Sequence, residues 1–275
     1  MNIFAIFIFL ISISSFPRVV FAGVEDEIKL NKTGNCYKCS LQNADLSLMD
    51  LTGANLSESD LSGANFSGST LSFANLNNSN LTGANLSQTK LEGSFLKGAN
   101  LSESNLTGTN LSSSKLNNAD LTNADLKQAK LISARLIEVN LTGANLTGAD
   151  LKYARMPYAN LYKANLIYAN LSRVNLTESN LSKANLTGAN LNQADLYKSD
   201  LSETNLSSTN LSLSRLTLSN LSGAKLNNTN LTDAELFKTN FKNTDLNNTS
   251  LKNINLENTI MCNTNTPWGL ENSGC

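Results

Sequence analysis

From Leu41 to Leu256 an apolar residue recurs at every fifth position without a slip, giving 44 consecutive stations, 41 of them Leu and the others Phe66, Met156 and Phe241. Two places before each station stands a small residue, most often Ala, Ser or Thr, as in Ala84-Asn85-Leu86-Ser87-Gln88. Asn or Asp usually precedes the station directly, and Ser or Thr and then often Gly follow it. An α-helix advances about 100° per residue, so residues five apart spread around it and leave no apolar stripe. In a strand five is odd, and successive leucines would face opposite sides. A chain that turns a corner every five residues gathers them all. Four corners close a square coil of about 20 residues with every Leu pointing to the axis. The small residue also faces inward, between leucines, where nothing larger fits. Asn, Asp, Ser and Gly take the outward positions, where they suit tight turns.

This pattern, A-(D/N)-L-x-x, resembles that of the pentapeptide-repeat family, and the resemblance covers residues 39–261. It implies an all-β solenoid, a right-handed quadrilateral β-helix of about 11 coils stacked at about 4.8 Å, and so a rod on the order of 50 Å long. Each coil of such a rod touches only its neighbours, so both ends need caps. The expected organisation is one domain: a signal peptide at 1–22, an N-terminal arm or cap at 23–38, the repeat helix at 39–261 and a C-terminal cap at 262–275. Met49, Val139, Val174 and Ile254 overfill the small inward position and predict local repacking. Pro157 lacks a backbone donor and predicts a lost ladder bond there, without a domain break.

Charge and composition narrow the function. The 21 basic and 22 acidic residues leave a net charge of −1, so nucleic acid and anionic membrane are not evident partners. Histidine is absent, which removes the commonest general base and metal ligand. No catalytic, metal or cofactor-binding residues are assigned. The run from Asn2 to Ser15 is almost wholly apolar, shorter than the ~20 residues that span a bilayer, and is followed by Val20-Phe21-Ala22 with small residues at a cleavage site. It reads as a secretory signal cut after Ala22, although no Lys or Arg precedes it. The protein is then periplasmic or extracellular, with no membrane insertion after cleavage. The recurring Asn-Leu-Ser and Asn-Leu-Thr triplets match glycosylation acceptors, but the repeat demands each residue by position, and no modification is assigned.

Cys36 and Cys39 lead into the first repeat, while Cys262 and Cys275 follow the last. Three pairings of four cysteines are possible. In a rod of about 50 Å the two ends cannot meet, because a bridge needs Cα atoms within about 7 Å. That leaves Cys36–Cys39 and Cys262–Cys275, or reduced core cysteines. A redox dithiol at Cys36 and Cys39 is a weaker alternative. Four zinc ligands cannot assemble, and Ser40 in place of His excludes haem attachment. Both terminal segments resemble the opening and closing segments of bacterial pentapeptide-repeat proteins, with Trp268 where an acidic residue is more usual.

Sorting outward residues by position within the coil leaves two sides bulkier than the others. The side through Leu51 and Leu71 carries Phe73, Ile132, Tyr153, Arg173 and Leu213. The next carries Ile137, Tyr158, Tyr197, Leu218 and Phe237, and Tyr153, Tyr158, Tyr162, Ile167 and Tyr168 girdle one coil. Phe73, Ile132, Tyr153, Tyr158, Tyr162, Tyr168, Tyr197, Leu213 and Phe237 form the candidate interaction surface. The reading is a non-enzymatic, exported scaffold that binds an unknown protein partner. Some members of the family mimic duplex DNA and bind type II topoisomerase. That alternative needs on the order of 30 net negative charges over such a rod, which this chain lacks.

Overall fold

The computed structural model describes residues 23–275, and the apolar leader at 1–22 lies outside the described residues. From Asn35 to Asn265 the chain winds as a solenoid in which every parallel bridge joins residues 20 apart. Four stations therefore make one coil. Each side is so short that the strands shrink to single bridging residues separated by turns.

One side shows how five residues are used. Leu81 N–H donates to Asn100 O at 2.6 Å and Gly83 N–H to Ser102 O at 2.9 Å, tying the coil to the next one. Asn80 N–H donates back to Ser59 O at 2.9 Å. Ala84 N–H closes a turn onto Leu81 O at 3.0 Å, with Gly83 at φ 64°. The second residue after each leucine is thus left-handed almost throughout, whether it is Gly, Asn, Lys or Tyr. The first residue after the leucine, Thr82, gives its N–H to Asn80 Oδ1 at 3.2 Å instead of to the ladder.

That last detail corrects the expectation at Pro157. Pro there removes only a donor that the ladder never uses. Glu138 N–H still reaches Pro157 O at 3.1 Å, and Met156 and Tyr158 still pair with the next coil at 2.7 and 3.0 Å. Val139 and Val174 are accommodated as well. Both are buried, and their turn bonds lengthen only to 3.2 Å, against 3.0 Å at Ala134 and Ala144.

The core is a continuous stack of fully buried leucines with Phe66 and Phe241 near its ends. Each buried Leu contributes roughly 1.5–3 kcal/mol of burial. Ser and Thr at the small station bury a hydroxyl and satisfy it in one of two ways. Ser69 donates to Phe66 O in its own turn at 2.6 Å, whereas Thr209 reaches back a coil to Leu186 O at 2.7 Å. No buried side-chain polar atom among the described residues lacks a partner.

Asn dominates the position before the leucine because it both accepts and donates. Asn170 Oδ1 accepts Ser172 N–H at 3.2 Å, and Asn170 Nδ2 donates to Asp150 Oδ1 one coil earlier at 2.9 Å. Asp has no amide donor, so it can only begin such a ladder. Asp45, Asp120, Asp150 and Asp200 each accept from an Asn in the following coil.

Short regular elements stand at both ends of the repeat, where an N-terminal arm or cap and a C-terminal cap are expected. An α-helix, α1 (Val24–Thr33), precedes the first coil. Glu25, Asp26 and Glu27 favour its N-terminal turn and Lys32 its last turn. Gly34 stops it at φ 67°, donating to Leu30 O at 2.8 Å. Buried Leu30 and a bond from Ser40 N–H to the Asp26 carboxylate at 2.8 Å dock the helix over the first coil. At the other end β1 (Thr264–Thr266) and β2 (Gly269–Glu271) form an antiparallel hairpin.

Candidate interaction surface

The two positions after each leucine expose their side chains differently. The first lies along the side of the coil and is usually half-buried, as are Ile132, Ile137, Tyr162, Ile167 and Tyr197. The second projects from the left-handed corner and is usually exposed. Phe73, Tyr153, Tyr158, Tyr168, Leu213 and Leu218 all occupy it, with φ between 56° and 63°. They are 63, 41, 54, 71, 51 and 40% exposed respectively. The residue type that suits this backbone is Gly, and a bulky side chain there costs on the order of 1 kcal/mol.

The girdle does not converge. Tyr153, Tyr158, Tyr162 and Tyr168 belong to successive sides of one square coil and point in four directions. What the structure does bring together runs along the axis. On the side through Leu51, Arg173 Nη1 donates to Tyr153 Oη at 2.8 Å, and Arg173 Nε donates to Gln193 Oε1 at 2.6 Å. Leu213 follows one coil later in the same column. At the adjoining corner the Arg215 guanidinium lies 4.3 Å from the Tyr197 ring centre and 3.4 Å from Asp195 Oδ2. Tyr158, Leu218 and Phe237 share the side of Tyr197.

Aromatic rings at the outer position lie over the following coil. A Cβ on Gly188 would meet Tyr168 Cε1 at 2.5 Å, and one on Gly93 would meet Phe73 Cε1 at 2.6 Å. On its other flank Tyr168 borders a groove of about 380 Å³ shared with Gln128 and Gly148. A larger opening, about 440 Å³, separates the last two coils between Asp233, Phe237 and Glu257. The regular bridge series skips the pair Glu235 and Asn255 there. Ile254, one of the overfilled stations, sits beside the gap only partly buried. The gap also explains why Phe237, at the normally half-buried position, is 50% exposed.

Cys36 and Cys39 are joined in one disulfide, with Cα atoms 5.4 Å apart, and Cys262 and Cys275 in another, at 4.9 Å. Asp26 approaches the first pair closely enough to suggest a metal cluster, but both sulfurs are consumed by the bond. Acidic groups along the rod are dispersed. The Ser47 side chain and N–H hold the Asp45 carboxyl below its ordinary range, and Thr52 does the same for Asp50. At Asp60, burial pushes upward, but bonds from Ser62, Gln42 and Asn80 outweigh it. Among the described residues, no helix is long and apolar enough to cross a membrane.

A square parallel solenoid with one leucine per side defines a class of repeat protein. The family model described as pentapeptide repeats matches in successive copies from residue 35 to 265. The chain belongs to the pentapeptide-repeat family, whose members fold into right-handed quadrilateral β-helices and are generally non-enzymatic structural or binding proteins. Among solved structures it is similar to HetL, a pentapeptide repeat protein involved in heterocyst differentiation regulation from the cyanobacterium Nostoc sp. strain PCC 7120, at 26% identity over 90% of this chain and 98% of that one, with a TM-score of 0.32. It is also similar to QnrB1, a plasmid-mediated fluoroquinolone resistance protein, at 17% identity over 76% of this chain and 88% of that one, with a TM-score of 0.41. Rfr23 from the cyanobacterium Cyanothece 51142 matches at 28% identity over 49% of this chain and 95% of that one, with a TM-score of 0.28. No curated protein gives a significant match to the chain.

Proposed function

We propose that this protein is an exported, non-enzymatic scaffold, a rod of about 11 right-handed coils that offers two adjoining sides to a protein partner. The observation that carries this reading is the set of bulky residues held outward on left-handed backbone. Tyr153 and Leu213 on one side and Tyr158 and Leu218 on the next are 40–54% exposed, at positions where Gly or Asn would serve the fold better. A large apolar residue that strains its backbone and leaves about half of its surface uncovered by the fold has that surface free for contacts outside it. Tyr residues whose polar tips are held, as Arg173 holds Tyr153, lose little entropy on docking. Export is supported by the apolar leader and the paired cysteines, which suit an oxidising compartment.

The test is crosslinking pull-down of the tagged full-length chain in its native host, together with fractionation. The triple variant Tyr197→Ser, Leu213→Ser and Leu218→Ser should lose the partner while keeping its melting temperature. Unchanged capture by that variant, or residence in the cytoplasm, overturns the reading. A DNA-mimicking role has less support, because 22 acidic residues are nearly cancelled by 21 basic ones. Inhibition of gyrase supercoiling by the folded protein would revive it.

A further inference from the structure

We infer that the opening between the last two coils is a docking slot for an extended, basic segment of a protein partner, which adds a strand to the broken ladder. One coil earlier this side is fully bonded. Leu216 N–H donates to Glu235 O at 2.8 Å, Leu218 N–H to Phe237 O at 2.9 Å and Glu235 N–H to Ser214 O at 2.9 Å. The counterparts in the next layer are Leu236 N–H to Asn255 O, Lys238 N–H to Glu257 O and Asn255 N–H to Ala234 O, and none of them forms. The sides before and after stay joined, by Leu231 N–H to Ser250 O at 3.0 Å and Phe241 N–H to Ile260 O at 2.8 Å. The opening of about 440 Å³ is therefore confined to one side of the coil.

The free backbone groups select the kind of occupant. The N–H groups of Leu236 and Lys238 and the carbonyl of Ala234 have no partner among the described residues. They lie along one lip of the opening in the order that the rest of the rod uses to bond its next coil. Such an unpaired edge is a template for an extended chain, whose backbone carries the complementary acceptors and donor at the same spacing. Ala234 and Leu236 are buried behind the lip, and Phe237 stands half-exposed at its mouth. A strand laid there turns alternate side chains toward this apolar floor and toward solvent.

The rim sets the charge of the strand. Asp233, Glu235 and Glu257 line the opening, and no Lys or Arg lines it with them. Ion pairs among the described residues form at Lys38–Glu58, Lys183–Glu203 and Arg215–Asp195, and none uses these three carboxylates. Lys238 is held over the Phe237 ring, 5.3 Å from its centre. Lys or Arg at the outward positions of the incoming strand therefore meets free carboxylates, while apolar residues between them face the floor. An acidic strand is repelled. The slot uses none of Tyr197, Leu213 and Leu218, so this inference and the proposed docking face stand or fall separately.

The experiment is fluorescence anisotropy of the full chain with a labelled, end-blocked Lys-Val-Lys-Val-Lys peptide, followed by hydrogen exchange. The comparison ligands are Glu-Val-Glu-Val-Glu and the basic peptide methylated on its backbone nitrogens, which keeps the charge and removes the strand's donors. The basic peptide should bind and slow exchange at the Leu236 and Lys238 amides, and neither comparison peptide should bind. Glu235→Gln with Glu257→Gln should weaken binding roughly ten-fold, as two surface charge pairs are lost. Glu103→Gln, an exposed change far along the rod, should leave it unaltered. Melting should be unchanged in all of them, because these side chains face outward. The inference is overturned if the basic peptide fails to bind at low salt, if its methylated form or the acidic peptide binds as tightly, if the protected amides lie elsewhere, or if the folded double variant binds like the unsubstituted protein.

Discussion

A left-handed backbone at the second residue after each leucine decides what this surface can carry. It is occupied by 11 repeat glycines from Gly53 to Gly223, yet also by Tyr153 and Leu213. Gly188 has a second reason to be Gly, because the Tyr168 ring covers it. At Gly83, φ is 64° and nothing lies near an added Cβ. Gly83→Ala should therefore cost about 1 kcal/mol from backbone strain alone. Gly188→Ala should cost a further ~0.5–1 kcal/mol as the ring leaves its rotamer. Equal urea midpoints for the two would show that the ring is free. Inside the rod, Thr209→Val removes a buried donor to Leu186 O while keeping shape, and should cost about 1 kcal/mol. Protonation adds a third residue-scale prediction. The depressed carboxyls of Asp45, Asp50 and Asp60 stabilise the fold above their ordinary value of 3.8, and that contribution is lost as pH falls through their lower folded values. Melting temperature should stay level from neutrality to about pH 4 and drop below it, and replacing all three by Asn should flatten that drop. The inward small station and the tolerance of Gly were legible in the sequence. The pairing of Tyr168 with Gly188 was not, because it joins residues a full coil apart on the outside, where the leucine period constrains nothing.

At the scale of elements the sequence was clearest where the period holds and weakest at the two ends. The helix Val24–Thr33 carries only Ile28 and Leu30 as large apolar residues beyond its first turn, too few for a stripe, so the sequence left arm and cap both open there and did not show the helix. Its charge order and the Gly34 stop are visible in retrospect. Pro157 misled for a different reason: the rule against Pro in sheets applies to ladder donors, and only the turn geometry shows which N–H groups those are. Ile254 was legible as an overfilled station, and the structure shows the consequence as the unpaired Glu235 and Asn255. Ile254→Ala should let the last coil close. The amides of Asn255 and Leu236 would then gain protection in hydrogen exchange, and unchanged exchange would remove Ile254 as the cause. The C-terminal hairpin is secured by Cys262–Cys275, which closes a loop with a sequence separation of 13. Replacing both by Ser should lower stability by about 3 kcal/mol on loop entropy, whereas Cys36–Cys39, with a separation of 3, should matter less.

The molecule as a whole is a one-dimensional stack, so its stability is a chain of nearest-neighbour terms and not a single core. The leucine beat makes every coil resemble the next, which is why the fold could be read almost completely while the partner could not: outward residues are nearly neutral to the stack. The same logic predicts where cooperativity fails. Leu146 is fully buried near the middle of the rod, whereas Leu256 in the last coil is only partly covered. Leu146→Ala should cost on the order of 2–5 kcal/mol and Leu256→Ala less. A weak coil in the middle leaves two better-bonded blocks, and these should separate in denaturant. Trp268, the sole tryptophan, lies in the C-terminal cap with Nε1 bonded to Glu271 at 2.8 Å, so its fluorescence reports that end alone. Circular dichroism reports all coils. In the unsubstituted protein the two urea transitions should coincide. In Leu146→Ala the fluorescence transition should part from the circular dichroism transition, and in Leu256→Ala it should move first. Coincident transitions in both variants would mean that the rod unfolds as one unit despite its repeat structure.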